Sequence, residues 1–309
     1  MTDRSASHAA GHIVDEHSTG LLVTTVTALP GGLHRWHRRP GPACPAPFHT
    51  LTAPLRALVP HTYDFHGTQA ATGEAAPDGS REYTASGPYS LAHVLMAGGG
   101  PHAAPGGRHA VEHILHGTGA LLASLHRQPV TPEVRRPSRG IARLHAWLSG
   151  ATAAGGADAV ALLGSAAVAP LTAWAAEAVT HADAHVLSHG APGLGSLVPS
   201  PAGDRAVLLT GEDICAAPRH LDVGWLTGEL VELRWLLGRA ADPGAWQALV
   251  DAFLDGYGGE AASGGHHRRG TALRVALHAH DSASYVAQGK GPAALYGVLA
   301  ARLTAEAAS

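Results

Sequence analysis

The strongest constraint on the fold of this chain is a change of pattern near residue 100. Before it, short β-capable runs such as 21–26 and 62–66 are separated by turn-forming clusters, Pro30-Gly31-Gly32, Pro40-Gly41-Pro42 and Pro77-Asp78-Gly79. After Gly98-Gly99-Gly100-Pro101 and Pro105-Gly106-Gly107 the period changes. Val111, Ile114, Leu115, Leu121, Leu122 and Leu125 recur at helical spacing and predict a helix over 108–126 that ends before Pro129. Further helices are expected at 141–148, 158–179, 220–238, 243–257 and from 271 onward, with a strand–loop–strand unit over 185–209. Strands followed by helices make an α+β chain. The expected arrangement is a small strand-rich lobe over 1–100 and a mainly helical lobe over 101–309, hinged at the glycine run.

With 309 residues and 45% apolar content, the chain can bury a sizeable core. Its longest apolar run, 157–179, is broken by Gly164, Pro170 and Glu177 and falls short of a membrane span. Residues 1–17 lack the basic and then apolar order of a secretory signal, so a cytoplasmic location and no membrane association are expected. A formal charge of −3 points to no nucleic-acid partner. Cys44 and Cys215 form no CxxC pair, which argues against a disulfide scaffold or a Cys-rich zinc site. The 23 histidines accompany a bias toward Ala, Gly and Arg, with a single lysine at Lys290. That bias reads as a GC-rich coding habit, although protonating the histidines would make the chain strongly cationic below about pH 6.

One loop carries a specific signal. His189-Gly190-Ala191-Pro192-Gly193-Leu194-Gly195-Ser196, flanked by apolar residues, resembles the catalytic loop of the aminoglycoside phosphotransferase and choline kinase family, whose pattern is His-Gly-Asp, four residues, then Asn. Segment 206–212 resembles that family's Ile-Asp-Trp-Glu metal-binding strand. Segment 217–226 resembles its Pro-rich turn and Asp-Leu-Gly-Trp helix start. The three motifs follow in the family's order, and the resemblance implies a bilobal protein-kinase-like fold.

It also implies a lost reaction. Phosphoryl transfer needs a carboxylate to orient the substrate, an Asn and an Asp to hold Mg²⁺, and a Lys on the phosphates. At the matching positions stand Ala191, Ser196 and Thr210, and the smaller lobe has no lysine. Neutral hydroxyls are poor ligands for a hard dication, so no phosphotransferase activity and no cofactor are expected. Candidate replacements are His189, Glu212 and Asp213, with Arg35, Arg38 or Arg39 for the lysine. His189 otherwise reads as a brace of the loop, and Asp222 as a helix cap.

Other groups carry weaker signals. His109, His113 and His116 share a helix face with Glu112 and are candidate metal ligands, although chance placement is expected in so His-rich a chain. The runs 34–39 and 266–269 are dense in cations and read first as solvated loops. The alternative is a surface for an acidic peptide or a phosphate, with Arg35, Trp36, His37 and Arg38 the stronger candidate because an aromatic in a basic loop often marks one. His278, His280 and Asp281 form a His/carboxylate group able to act as a general base, with no nucleophile visible beside it.

Kinase-like proteins of the resembled type, in GC-rich actinobacteria, accompany the maturation of ribosomally made peptides, notably lanthipeptides and thioamide peptides. The resemblance therefore implies a pseudokinase-like protein that binds a peptide substrate or a partner biosynthetic enzyme. The alternative is a repurposed enzyme in the same setting, such as a thioether-forming lanthionine cyclase using histidine acid–base chemistry. An active phosphotransferase with relocated residues is the third reading.

Overall fold

The computed structural model describes residues 11–61, 65–151, 156–180, 184–237, 242–258, 265–286 and 291–309. Its first part is an antiparallel sheet of β1 (Ile13–Ser18), β2 (Leu22–Leu29), β3 (Leu33–Pro40), β6 (Arg81–Ala85) and β5 (Glu74–Ala75), adjacent in that order. The Pro30-Gly31-Gly32 turn closes the β2–β3 hairpin and sets Trp36 opposite Val26 and Tyr83. Along β3 the side chains alternate, so Trp36 and Arg38 are buried while Arg35 and His37 are partly open. A short helix, α1 (Ala53–Ala57), is capped by Thr52.

The chain leaves β6 at Ala85 and passes through Ser86-Gly87-Pro88-Tyr89 into α2 (Leu91–Ala97), capped by Ser90. Gly98–Gly100 then links α2 to a 3-10 turn at Pro101–Ala103. Of the β-capable stretch expected at 62–66, residues 62–64 lie outside the described residues; Phe65 bridges to Thr68 at the start of β4 (Thr68–Ala71). β4 pairs in parallel with β9 (Ala206–Leu209), which pairs antiparallel with β8 (Leu197–Pro199). A strand from the first hundred residues thus extends a hairpin of the helical part.

The helices follow the apolar spacing closely. They are α3 (Gly107–Leu125), α4 (Arg139–Leu148), α5 (Ala159–Leu163), α6 (Ser165–Val179), α7 (Arg219–Leu237), α8 (Pro243–Tyr257), α9 (His266–Asp281) and α10 (Gly291–Ala308). Two expectations change. The helix predicted over 158–179 is two, divided at Gly164, whose φ of 81° ends α5. The helix predicted from 271 begins at His266, so the 266–269 cationic run opens a helix rather than a loop. A π turn at Ser282–Val286 follows it. Where α7 and α9 cross, Gly224 faces Gly270 so closely that a Cβ on Gly224 would collide with it. This approach brings the acidic face of α7 against the basic face of α9.

Among the described residues, three buried clusters hold the chain together. One joins α1, α2, α3, α7 and α8, and a second joins α4, α5, α6, α9 and α10. The third is small and sits between the two parts: Val26, Trp36, Tyr83 and Ala85 of the sheet against Val198, Val207 and Leu209 of the β8–β9 hairpin. Among the described residues no helix is long and apolar enough to cross a membrane.

Candidate functional site

The 189–196 loop leaves β7 (Val186–Ser188), which pairs with β10 (Cys215–Ala217), and it is held from behind by buried polar groups. Asp222, in the first turn of α7 and wholly buried, accepts from the backbone N–H of His189 at 2.7 Å and of Gly190 at 3.0 Å. Its Oδ2 also meets His126 Nε2 at 3.0 Å, and His126 Nδ1 meets the Tyr257 hydroxyl at 2.7 Å. Burial alone would raise the Asp222 carboxyl, but His126 and the loop donors outweigh it and hold it below the usual range. Asp222 therefore ties down the loop rather than capping its own helix, as the sequence had suggested. Gly190 stands at φ 91°, and a Cβ there would strike the carbonyl of Asp213.

His189 is a brace at both ring nitrogens. Its Nε2–H donates to Leu209 O at 3.1 Å, and its Nδ1 accepts from Ala191 N–H at 3.4 Å. Burial pushes its pKa below the ordinary imidazole value. With neither lone pair nor proton left for a ligand, it offers no general base. Thr210 is likewise turned inward, its hydroxyl donating to Leu208 O at 2.9 Å.

The candidate replacements are also occupied. Arg38 reaches from β3 to the Ser196 hydroxyl at 3.1 Å and to Glu212 Oε1 at 3.2 Å, and the Tyr83 hydroxyl donates to the same carboxylate oxygen at 2.8 Å. Burial, and then Glu212, push the Tyr83 phenol well above its usual range, so it stays a donor. Asp213 accepts from the Arg139 backbone N–H at 2.9 Å and its Nε at 3.3 Å, at the start of α4. Trp36 is 1% exposed, and its indole N–H donates to Gly87 O at 3.0 Å. It is a core residue of the junction rather than an exposed anchor, because β3 turns it inward. Arg35 stands on the outer side, 3.7 Å from Glu82.

Beside the loop opens a cavity of about 320 Å³. Four arginines line it, each paired with a carboxylate: Arg38 with Glu212, Arg139 with Asp213, Arg143 with Asp281 and Arg274 with Glu229. The Arg143–Asp281 pair is bidentate, at 2.9 and 2.6 Å. Glu229 also accepts from Leu194 N–H at 2.5 Å, which anchors the loop's far end to α7. The lining charges thus balance within the wall.

Sequence reasoning missed most of this ring. Arg139, Arg143, Glu229 and Arg274 carry no motif, and their partners lie far along the chain. The other sequence candidates lie apart. His109 meets Glu112 at 2.8 Å, His116 meets Asp255 at 3.3 Å, and His113 faces the His66 ring edge-on. Among the described residues no group of three His, Cys, Asp or Glu side chains is arranged to hold a metal ion. His278 and His280 separate: His280 is buried and bonds Asp281 at 2.8 Å, whereas His278 lines the cavity.

An antiparallel sheet joined to a helical part, with a His-Gly loop between paired strands and a β8–β9 hairpin beside it, is a mixed α+β, protein-kinase-like fold of the kind seen in an ethanolamine kinase and an amicoumacin kinase. Among solved structures, the chain is similar to an ethanolamine kinase of Plasmodium vivax, with a TM-score of 0.57 at 12% identity over 98% of this chain and 83% of that one. It is similar to the amicoumacin kinase hAmiN bound to AMP-PNP, Ca²⁺ and Ami, with a TM-score of 0.53 at 13% identity over 96% and 87%. A glucosamine kinase in complex with glucosamine, ADP and inorganic phosphate gives 0.51 at 15% identity over 90% and 73%. No protein-family model and no curated protein matches the sequence. At these identities the likeness is one of fold.

Proposed function

We propose that this chain is a pseudokinase-like protein that transfers no phosphate and holds a peptide substrate or a partner enzyme in its cleft, in the maturation of a ribosomally made, lanthipeptide-like natural product. The observation that carries the first half is the Arg38–Glu212–Ser196 cluster. At these positions a phosphotransferase keeps side chains ready for a dication and a triphosphate. Here a guanidinium neutralises the carboxylate and claims the hydroxyl. Trp36 supports the same reading, since a flat base entering between sheet and hairpin needs the space that its indole fills. The balanced cavity wall supports the second half. Paired arginines have little attraction left for a polyanion, while a peptide presents amides and mixed charges.

The test is incubation of the protein with a dehydrated, Cys-containing precursor peptide and Mg²⁺-ATP. The reading expects saturable peptide binding and an unchanged peptide mass; ATP-dependent addition of phosphate to the peptide contradicts it.

A second reading, a repurposed acid–base enzyme such as a lanthionine cyclase, is favoured by one observation. The cavity wall holds a histidine, His278, with a ring nitrogen left over among the described residues. Loss of free thiol from the same peptide, with no change of mass, would favour this reading over simple binding.

A further inference from the structure

Three histidines line the cavity, and they differ in what their ring nitrogens do. His189 has both engaged. His17 stands on the edge strand β1, its Nδ1 3.7 Å from Asp15 and its side chain largely open. His278 alone combines an oriented ring with a spare nitrogen. Its Nδ1 lies 2.5 Å from Glu232 Oε1, and its ring stacks on Tyr296 with 4.3 Å between centroids. Nε2, on the opposite edge of the ring, makes no hydrogen bond among the described residues.

The partner of His278 is built to stay charged. Glu232 sits on α7 with its side chain 5% exposed, and its Oε2 is 3.6 Å from Arg274 Nη1. Burial alone would raise its carboxyl, but Arg274 and His278 outweigh that and hold it below the usual range. A carboxylate at Nδ1 selects the tautomer with the proton on Nδ1 and the lone pair on Nε2. The groups that meet the ring are Glu232 from α7 and Tyr296 from α10, and Arg274, one turn earlier on α9, shares Glu232. Arg274 is itself neutralised by Glu229.

We infer that His278, oriented by Glu232, is the proton acceptor of the cavity and takes its proton from a thiol carried on the bound ligand. The S–H bond breaks, the proton moves to Nε2, and the electron pair stays on sulfur as the thiolate. The new imidazolium is balanced by Glu232. A thiol is chosen on acidity: free thiols near 8.5 stand about two pKa units above imidazole near 6.5, a gap of about a hundredfold that one ion pair closes. The inference rests on the reading that the cleft receives a peptide.

The experiment uses the full chain with ¹⁵N-labelled histidine, followed by long-range ¹H–¹⁵N spectra, and two probes, the tripeptides Ala-Cys-Ala and Ala-Ser-Ala. Neutral His278 is expected to carry its proton on Nδ1. Glu232→Gln, which removes the carboxylate at Nδ1, is expected to let the Nε2–H tautomer appear. At about pH 7.5, above the ordinary imidazole value, saturating Ala-Cys-Ala is expected to protonate His278 with an equal rise of thiolate absorbance, while Ala-Ser-Ala binds without doing so. An Nε2–H tautomer overturns the dyad, and that readout needs no variant to fold. A bound Cys peptide that leaves His278 neutral overturns the proton transfer. If neither peptide shifts the cavity resonances, the peptide reading falls and takes the thiol with it, while the tautomer and its response to Glu232→Gln still decide the dyad.

Discussion

The back and the front of the 189–196 loop are built in different ways. Behind it, Asp222, His126, His189 and Gly190 are joined by one set of buried hydrogen bonds. In front, Ala191, Ser196 and Thr210 are the positions that the sequence resemblance matches to the family's carboxylate, amide and metal ligand. The difference is one of cost. Removing a member of the buried set leaves an unpaired charge or donor in the core. Replacing a front residue with Ala or Thr leaves nothing unsatisfied, since Thr210 turns its hydroxyl to Leu208 O.

The comparison breaks most readily from behind. Asp222→Ala strands two backbone donors and His126, and should cost about 4 kcal/mol in urea unfolding. Gly190→Ala forces a side chain onto a left-handed residue and into the Asp213 carbonyl, with an expected loss of about 3 kcal/mol by the same measurement. If both variants unfold like the parent chain, the back of the loop is not what holds it.

Acid should act in the same direction. His220, His49 and His189 all lie below the ordinary imidazole value, each chiefly through burial, His220 at about 4. The unfolded chain binds protons that the folded chain refuses below about pH 6.5, so stability is full above that value and falls as pH drops toward the folded values. Replacing His220 with Gln should flatten the fall between about pH 6.5 and 4 by about 2 kcal/mol, read from unfolding midpoints across pH. The smallest effect belongs to the front. Ala191→Asp should change stability by less than about 1 kcal/mol and restore no phosphate transfer, because Ser196, Thr210 and Arg38 remain.

How much of this was legible depended on the distance over which the information was encoded. The α8 helix was readable to the residue, because Pro243 opens it and its apolar spacing is local. The loop was readable because His189, Gly190 and Ser196 keep a fixed spacing with apolar strands on either side. Trp36 and Arg38 were misjudged as an exposed basic cluster. Their two-residue alternation with Arg35 and His37 is the signature of a half-buried strand, and a row of arginines and histidines hides it. The cavity wall was not readable at all, since Arg38 and Glu212, or Arg143 and Asp281, meet only through the packing of separate elements.

The proposal that the cleft carries out no nucleotide reaction is tested most directly by titration calorimetry of the full chain with Mg²⁺-ATP, followed by assay for phosphate release. The account predicts no saturable heat and no released phosphate. Saturable binding accompanied by phosphate transfer to a peptide or small-molecule acceptor would contradict it.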